Sequence, residues 1–141
     1  MIFNTLVVDD SAVMRRMIIR TLGLSGVPLG AIHEAGHGEE ALAVLEEHWV
    51  DLALVDINMP VMNGQEFIER VREIPEFRDL AIVVVSTESS ETRILEIRKS
   101  GVEFVHKPFT PETLRETIVK ITGVSDEQYD LASAGGNELD F

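Results

Sequence analysis

Residues 52–64 read LALVDINMPVMNG, and this stretch decides the fold. Four apolar residues, Leu52-Ala53-Leu54-Val55, end on a single carboxylate, Asp56. Pro60 then halts any strand, and Asn63-Gly64 supplies a turn. A short, continuously apolar run is the pattern of a strand covered on both faces, as in parallel sheets. Four more runs rich in apolar or β-branched residues lie at 5–8, 31–35, 80–85 and 102–105. Helical periodicity fills the gaps. Val13, Met14, Met17, Ile18, Thr21 and Leu22 fall on one expected face; Ala41, Leu42 and Leu45 repeat the pattern. Phe67, Ile68 and Val71, then Ile94 and Ile97, then Leu114, Ile118 and Ile121 continue it. Gly23, Gly101 and Gly123 stand where helices should end, and Thr110-Pro111 reads as an N-cap followed by a first helical residue. A βα unit repeated five times predicts an α/β fold: a doubly wound, five-stranded parallel sheet with helices on both faces.

The composition fits one soluble domain. A chain of 141 residues, 45% hydrophobic, buries enough surface to need no staples. With no cysteine, disulfides, thiolate metal sites and a cysteine nucleophile are excluded. A net charge of −13 argues against nucleic acid as a partner, and no apolar run approaches a membrane span. The start, MIFNTLVVDD, lacks the basic region of a signal peptide, so a cytoplasmic protein is expected. Residues 125–141, SDEQYDLASAGGNELDF, hold five acids and no Lys or Arg, with Gly135-Gly136 against helix. The domain is expected to span 1–124, and 125–141 to form an acidic, flexible tail, a docking peptide using Leu139 and Phe141, or the stub of a linker.

In open parallel sheets, ligands bind beyond the carboxyl ends of the strands. Those positions hold Asp9 and Asp10 after the first strand, Asp56 and Asn58 after the third, Ser86, Thr87 and Glu88 after the fourth, and Lys107-Pro108 after the fifth. In the commonest five-stranded order the first and third strands are neighbours, which would bring Asp9, Asp10 and Asp56 together. Three carboxylates in one crevice call for a proton or a cation, and oxygen ligands suit Mg²⁺ or Mn²⁺. A hydroxyl from Ser86 and the Lys107 ammonium would face the same spot, which is the equipment of phosphoryl transfer with Asp56 as nucleophile. Each piece alone has a plainer reading: Asp-Asp as a turn or helix cap, Ser-Thr as a loop hydroxyl, Lys-Pro as a turn. Four together, in this order at four strand ends, are a specific signal.

These residues resemble the receiver domain of two-component response regulators, of the single-domain chemotaxis type. The resemblance covers roughly residues 3–123: Val8-Asp9-Asp10-Ser11, Val55-Asp56-Ile57-Asn58-Met59-Pro60 with Gly64, Val84-Val85-Ser86-Thr87, and Phe104-Val105-His106-Lys107-Pro108-Phe109. It implies the flavodoxin-like strand order 2-1-3-4-5, for which a chemotaxis receiver is itself a standard example. It implies that Asp56 accepts a phosphoryl group from a sensor histidine kinase. Asp10, Asp56 and the Asn58 main-chain carbonyl would hold Mg²⁺, with Asp9 contributing. Ser86 takes the switch-hydroxyl position, with Thr87 as the alternative; the Lys107 ammonium pairs with a phosphoryl oxygen; the Lys107-Pro108 bond is expected to be cis; Phe104 is the aromatic switch. Asn58 and Glu88 occupy the positions that tune dephosphorylation.

Residues 91–120 carry six bases and five acids while the rest of the chain is net −14, so the fourth helix, fifth strand and fifth helix form the least acidic face. Leu95 and Val119 lie off the core stripes there, as scattered exposed residues or as a docking surface. The implied output is a protein partner such as a flagellar-motor switch or a phosphatase, with the protein a monomer catalysing only its own phosphoryl transfer and dephosphorylation. The alternatives are a phosphorelay intermediate, a stand-alone receiver outside chemotaxis, and a small aspartyl-phosphate phosphatase. The last wants Asp-x-Asp after the first strand and a cap domain, and the chain offers neither. His33, His37 and His48 have no metal-ligand spacing, His106 should point away from Lys107, and Trp49 reads as helix-end packing.

Overall fold

The computed structural model describes residues 2–123; the acidic segment 125–141 lies outside them. The strands are β1 (Phe3–Val8), β2 (Leu29–Ala35), β3 (Leu52–Val55), β4 (Ala81–Ser86) and β5 (Glu103–His106). The helices are α1 (Ala12–Ser25), α2 (Gly38–Glu47), α3 (Gly64–Glu73), α4 (Glu91–Arg98) and α5 (Pro111–Thr122), with a 3-10 turn at Pro75–Phe77. The sheet is parallel in the order β2-β1-β3-β4-β5, so the strand read first is the central one.

That place explains its composition. Every residue from Leu52 to Asp56 is buried. Alternate side chains go to opposite faces: Ala53 and Val55 join the core shared with Ala41, Phe67 and Ile97, whereas Leu52 and Leu54 join the core shared with Ile18, Leu114 and Ile118. Burying each such Val, Leu or Ile stabilises the fold by about 1.5–3 kcal/mol. A polar residue within β3 would face one of these cores, so the first place for a carboxylate is its end.

Helix α1 differs from the sequence expectation. Its buried residues are Ile18, Leu22 and Ser25, while Val13 and Met17 point to solvent. Gly23 does not end it: the helix runs on to Ser25, and Gly26, in the left-handed conformation at φ 85°, is the cap. Gly123 caps α5 as expected, at φ 72°. Thr110 accepts from the Thr113 N–H, with Pro111 in the first turn. Val119 is not a free apolar residue but packs against the α1/α5 core, whereas Leu95 is exposed. Trp49 is 78% exposed rather than packed, its indole N–H donating to Asp51 at 2.9 Å.

Two contacts were not legible beforehand. The Arg72 guanidinium donates to the carbonyls of Ser100, Arg78, Leu80 and Gly101, tying α3 to the starts of β4 and β5. His33 and His48 stack, with ring centroids 4.1 Å apart.

Candidate functional site

Strand register assembles the site. Val8 pairs with Val55, so Asp9 and Asp56 leave neighbouring strands side by side. The Asp56 N–H donates to the Val8 carbonyl (2.9 Å), and the Asp9 N–H to that of Ala35 (3.1 Å), extending the ladder one residue past each strand. On the other side Ser86 pairs with His106, and the Lys107 N–H donates to the Ser86 carbonyl at 2.9 Å. The cap of α1 is Ser11, which accepts from the Met14 N–H. Asp10 is thereby left exposed at the mouth.

One carboxylate oxygen from each of Asp9, Asp10 and Asp56 lies within 4.8 Å of the others. Asp9 is 1% exposed and Asp56 8%. The Lys107 ammonium lies 3.0 Å from Asp9 Oδ2 and 3.7 Å from Asp56 Oδ1. Burial is the main reason the Asp56 carboxyl is held above the usual carboxylate range. Lys107 opposes that shift, Asp9 and Asp10 add to it, and the Ile57 N–H, donating at 2.9 Å, lowers it. With all three acids ionised, these four side chains carry a net charge of −2. Hard oxygen donors with that deficit fit a divalent cation such as Mg²⁺, and the acidic pocket is compatible with one.

The loop after Asp56 is shaped by Gly64. A Cβ there would collide with the Asp56 carbonyl oxygen and crowd Ile57 Cα, so only glycine allows this approach. The Gly64 N–H donates to the Ile57 carbonyl at 2.8 Å, and Asn63 closes a capping box with Glu66. Val61 takes a left-handed φ of 67°, and the Met62 N–H reaches back to the Pro60 carbonyl at 2.7 Å. That tight reversal is a costly conformation for a β-branched residue.

The other expected site residues are distributed as follows. Ser86 is buried and its Oγ accepts from the Glu88 N–H at 3.2 Å, whereas Thr87 is exposed. The Glu88 carboxylate pairs with Arg93 at 3.6 Å. Asn58 is exposed. Phe104 is buried, its ring tilted against His106 with centroids 4.8 Å apart. The Lys107-Pro108 bond is cis. Sequence reasoning missed Arg15, which donates to the Asp9 carbonyl at 2.6 Å and pairs with Glu34 at 2.9 Å, fixing the start of α1 against β1 and β2.

The response regulator receiver domain model matches residues 5–119. The chain belongs to the response regulator receiver family. Among curated relatives, this receiver is 37% identical over 123 residues to chemotaxis protein CheY1 of Helicobacter pylori, covering 86% of this chain and 98% of that one. It is 39% identical over 120 residues to the chemotaxis protein CheY homolog of Campylobacter jejuni, covering 84% and 91%. Among solved structures, chemotaxis protein CheY4 of Vibrio cholerae superposes with a TM-score of 0.74 at 34% identity, covering 86% of the receiver and 99% of that chain. The chain is thus a two-component response regulator with chemotaxis proteins among its relatives, and its sheet order is that of the family. Among the described residues, no helix is long and apolar enough to cross a membrane.

Proposed function

We propose that this receiver is a phosphorylation-switched regulator of chemotaxis or motility, working in the cytoplasm as a monomer. Asp56 accepts a phosphoryl group from a phosphohistidine of a sensor histidine kinase. The observation that carries this reading is the buried Asp56 carboxylate, set between two further acids and the Lys107 ammonium at the strand ends. In the transfer an Asp56 oxygen forms a bond to phosphorus while the P–N bond breaks, its electron pair leaving with the imidazole nitrogen. Negative charge spreads over three phosphoryl oxygens, so positioning and neutralisation carry the catalysis.

Lys107 neutralises one oxygen. Ser86 Oγ already accepts from Glu88, which leaves its own O–H free to donate to another. Asp9, Asp10, Asp56 and the Asn58 carbonyl would hold Mg²⁺, which supplies charge neutralisation at the same crevice, with Mn²⁺ as a substitute. Asn58 and Glu88 flank the site as the residues that set the rate of dephosphorylation. Ser86 and Lys107 are joined through the backbone where β4 meets β5, so their movement toward a phosphoryl group reaches Phe104 and the α4-β5-α5 face. That face, with exposed Leu95, is the surface for a downstream target such as the flagellar-motor switch or a phosphatase.

The test is incubation with Mg²⁺ and acetyl phosphate, followed by intact mass measurement. One phosphate adduct is expected, absent in Asp56→Asn and without Mg²⁺. An adduct that persists in Asp56→Asn, or no adduct at all, refutes the proposal.

A further inference from the structure

Helix α1 is out of character with the rest of the molecule. It carries Arg15, Arg16 and Arg20 and no acid, in a chain of net charge −13. Arg15 is committed to Glu34 and the Asp9 carbonyl. Arg16 reaches only the Ala12 carbonyl at 3.4 Å, and among the described residues neither Arg16 nor Arg20 makes an ion pair. Val13, Met17 and Leu24 are 62%, 53% and 68% exposed, three of the seven large hydrophobic residues that stand open to solvent among the described residues. At about 100° per residue these three fall within about 40° of one another, with Arg16 and Arg20 along one edge. The outer face of α1 is therefore an apolar stripe bordered by unpaired guanidinium groups. Isolated exposed apolar residues need no explanation, but an aligned set beside free cations describes a docking surface for an acidic, apolar segment.

The chain contains such a segment. Residues 125–141 hold five acids, no Lys or Arg, and the apolar side chains Tyr129, Leu131, Leu139 and Phe141. They follow α5, whose Leu114 and Ile118 share a core with Ile18 and Leu22 of α1. Both helices follow strands of one parallel sheet and run the same way, so the chain leaves α5 beside the Leu24 end of α1. Seventeen residues reach up to about 55 Å when extended, against about 21 Å for the length of α1. We propose that the outer face of α1 is the docking surface for this chain's own segment 125–141. Its carboxylates meet Arg16 and Arg20, and its apolar side chains cover Val13, Met17 and Leu24. Tethering keeps the local concentration in the millimolar range, so a weak contact suffices for occupancy. An outside partner that uses α1 must displace the segment.

Because the chain has no cysteine, Asn137→Cys gives a single site for a nitroxide label in the full-length protein. Amide line broadening is expected to concentrate on α1. It should disappear in Arg16→Glu/Arg20→Glu and in Leu139→Ser/Phe141→Ser, and weaken as salt shortens the Debye length from about 10 Å at 0.1 M to about 3 Å at 1 M. The amide spectrum outside α1 reports whether each variant keeps its fold. Broadening centred on α4 and β5 overturns the proposal, as does broadening unaffected by the arginine reversals. A mixture of labelled natural-abundance protein with unlabelled ¹⁵N protein separates the remaining case: broadening there means contact between copies, which also overturns it.

Discussion

Asp56→Asn should stabilise the metal-free protein. The Asp56 side chain is 11% exposed and within 4.8 Å of both other acids through one oxygen each. At an effective dielectric of about 20, the repulsion from buried Asp9 at about 4.8 Å costs about 3.5 kcal/mol and the attraction to Lys107 at 3.7 Å returns about 4.5 kcal/mol, while the charge of exposed Asp10 is screened by solvent. The charge pairs therefore nearly cancel, and the cost of burying the carboxylate, the largest cause of its raised pKa, decides the sign at a few kcal/mol, about 2 of which asparagine relieves. Asparagine keeps the bond from the Ile57 N–H through its Oδ1 and removes the charge. In EDTA at pH 7 the variant should therefore gain about 2 kcal/mol, or about 5–10 °C in Tm for a domain of this size. Urea titration and calorimetry read both. The sign with pH follows from the raised Asp56 pKa. The folded state binds this proton more tightly than the unfolded state, so its contribution to stability is fully present at low pH and is lost as pH rises through the folded pKa. The advantage of Asp56→Asn should thus shrink toward zero on acidification. Saturating Mg²⁺ should stabilise the native protein more than the variant, because one ligand is weakened. A variant no more stable than the native protein in EDTA at pH 7 would refute the claim that repulsion and burial outweigh Lys107.

Lys107→Met leaves Asp9 and Asp56 buried without their cation and should destabilise the metal-free protein by about 3–5 kcal/mol in urea unfolding, with part recovered in Mg²⁺; an unchanged midpoint in EDTA would count against the pairing. Gly64→Ala drives a Cβ into the Asp56 carbonyl and should cost about 3 kcal/mol while slowing phosphorylation by acetyl phosphate, read as adduct formation over time. Val61→Gly relieves a left-handed β-branched residue at an exposed site, and the gain should be about 1 kcal/mol after the entropy of glycine is subtracted, measured as a rise in Tm.

The strands were legible because burial on both faces leaves little choice of residue: 52–55 admits only apolar side chains, and the first carboxylate marks where the sheet ends. Asp9, Asp10 and Asp56 could be grouped because β1 and β3 are neighbours in the common order, and the register places them side by side. The orientation of α1 was not legible in the same way. Its apolar residues cover so wide an arc that the 3.6-residue period fits more than one face, and only packing against Leu114 and Ile118 selects Ile18 and Leu22. Gly23 misled for a related reason: nothing crowds it, so the helix passes through to Gly26, where the left-handed turn requires glycine. Arg15 and Arg72 gave no signal because most of their partners are main-chain carbonyls, which every residue offers and no sequence pattern marks.

Under the proposed function, Lys107 connects the charge of the crevice to its output. With three carboxylates and one ammonium the site is at −2 when all three acids are ionised, which a divalent cation balances and a monovalent one does not. Under the proposed function, Asp56 exchanges its single charge for a phosphoryl group carrying about −2. The deficit grows by about one charge, and the only ammonium in contact with these carboxylates among the described residues is that of Lys107. Lys107 cannot answer that pull alone. Its N–H is bonded to the carbonyl of Ser86, the residue to which the proposed function gives the switch hydroxyl. A change of charge at Asp56 therefore acts on two residues that share one backbone hydrogen bond between β4 and β5. Ser86 leads through Glu88 and its Arg93 ion pair into α4, while Lys107 follows Phe104 and His106 on β5. Both routes run to the α4-β5 side, while Asp9, which Lys107 also contacts, accepts from the Ser11 N–H at the cap of α1 and from Arg15. Under the proposed function, a ligand on α4 or β5 therefore reads the phosphorylation state most directly, and α1 is reached through Asp9.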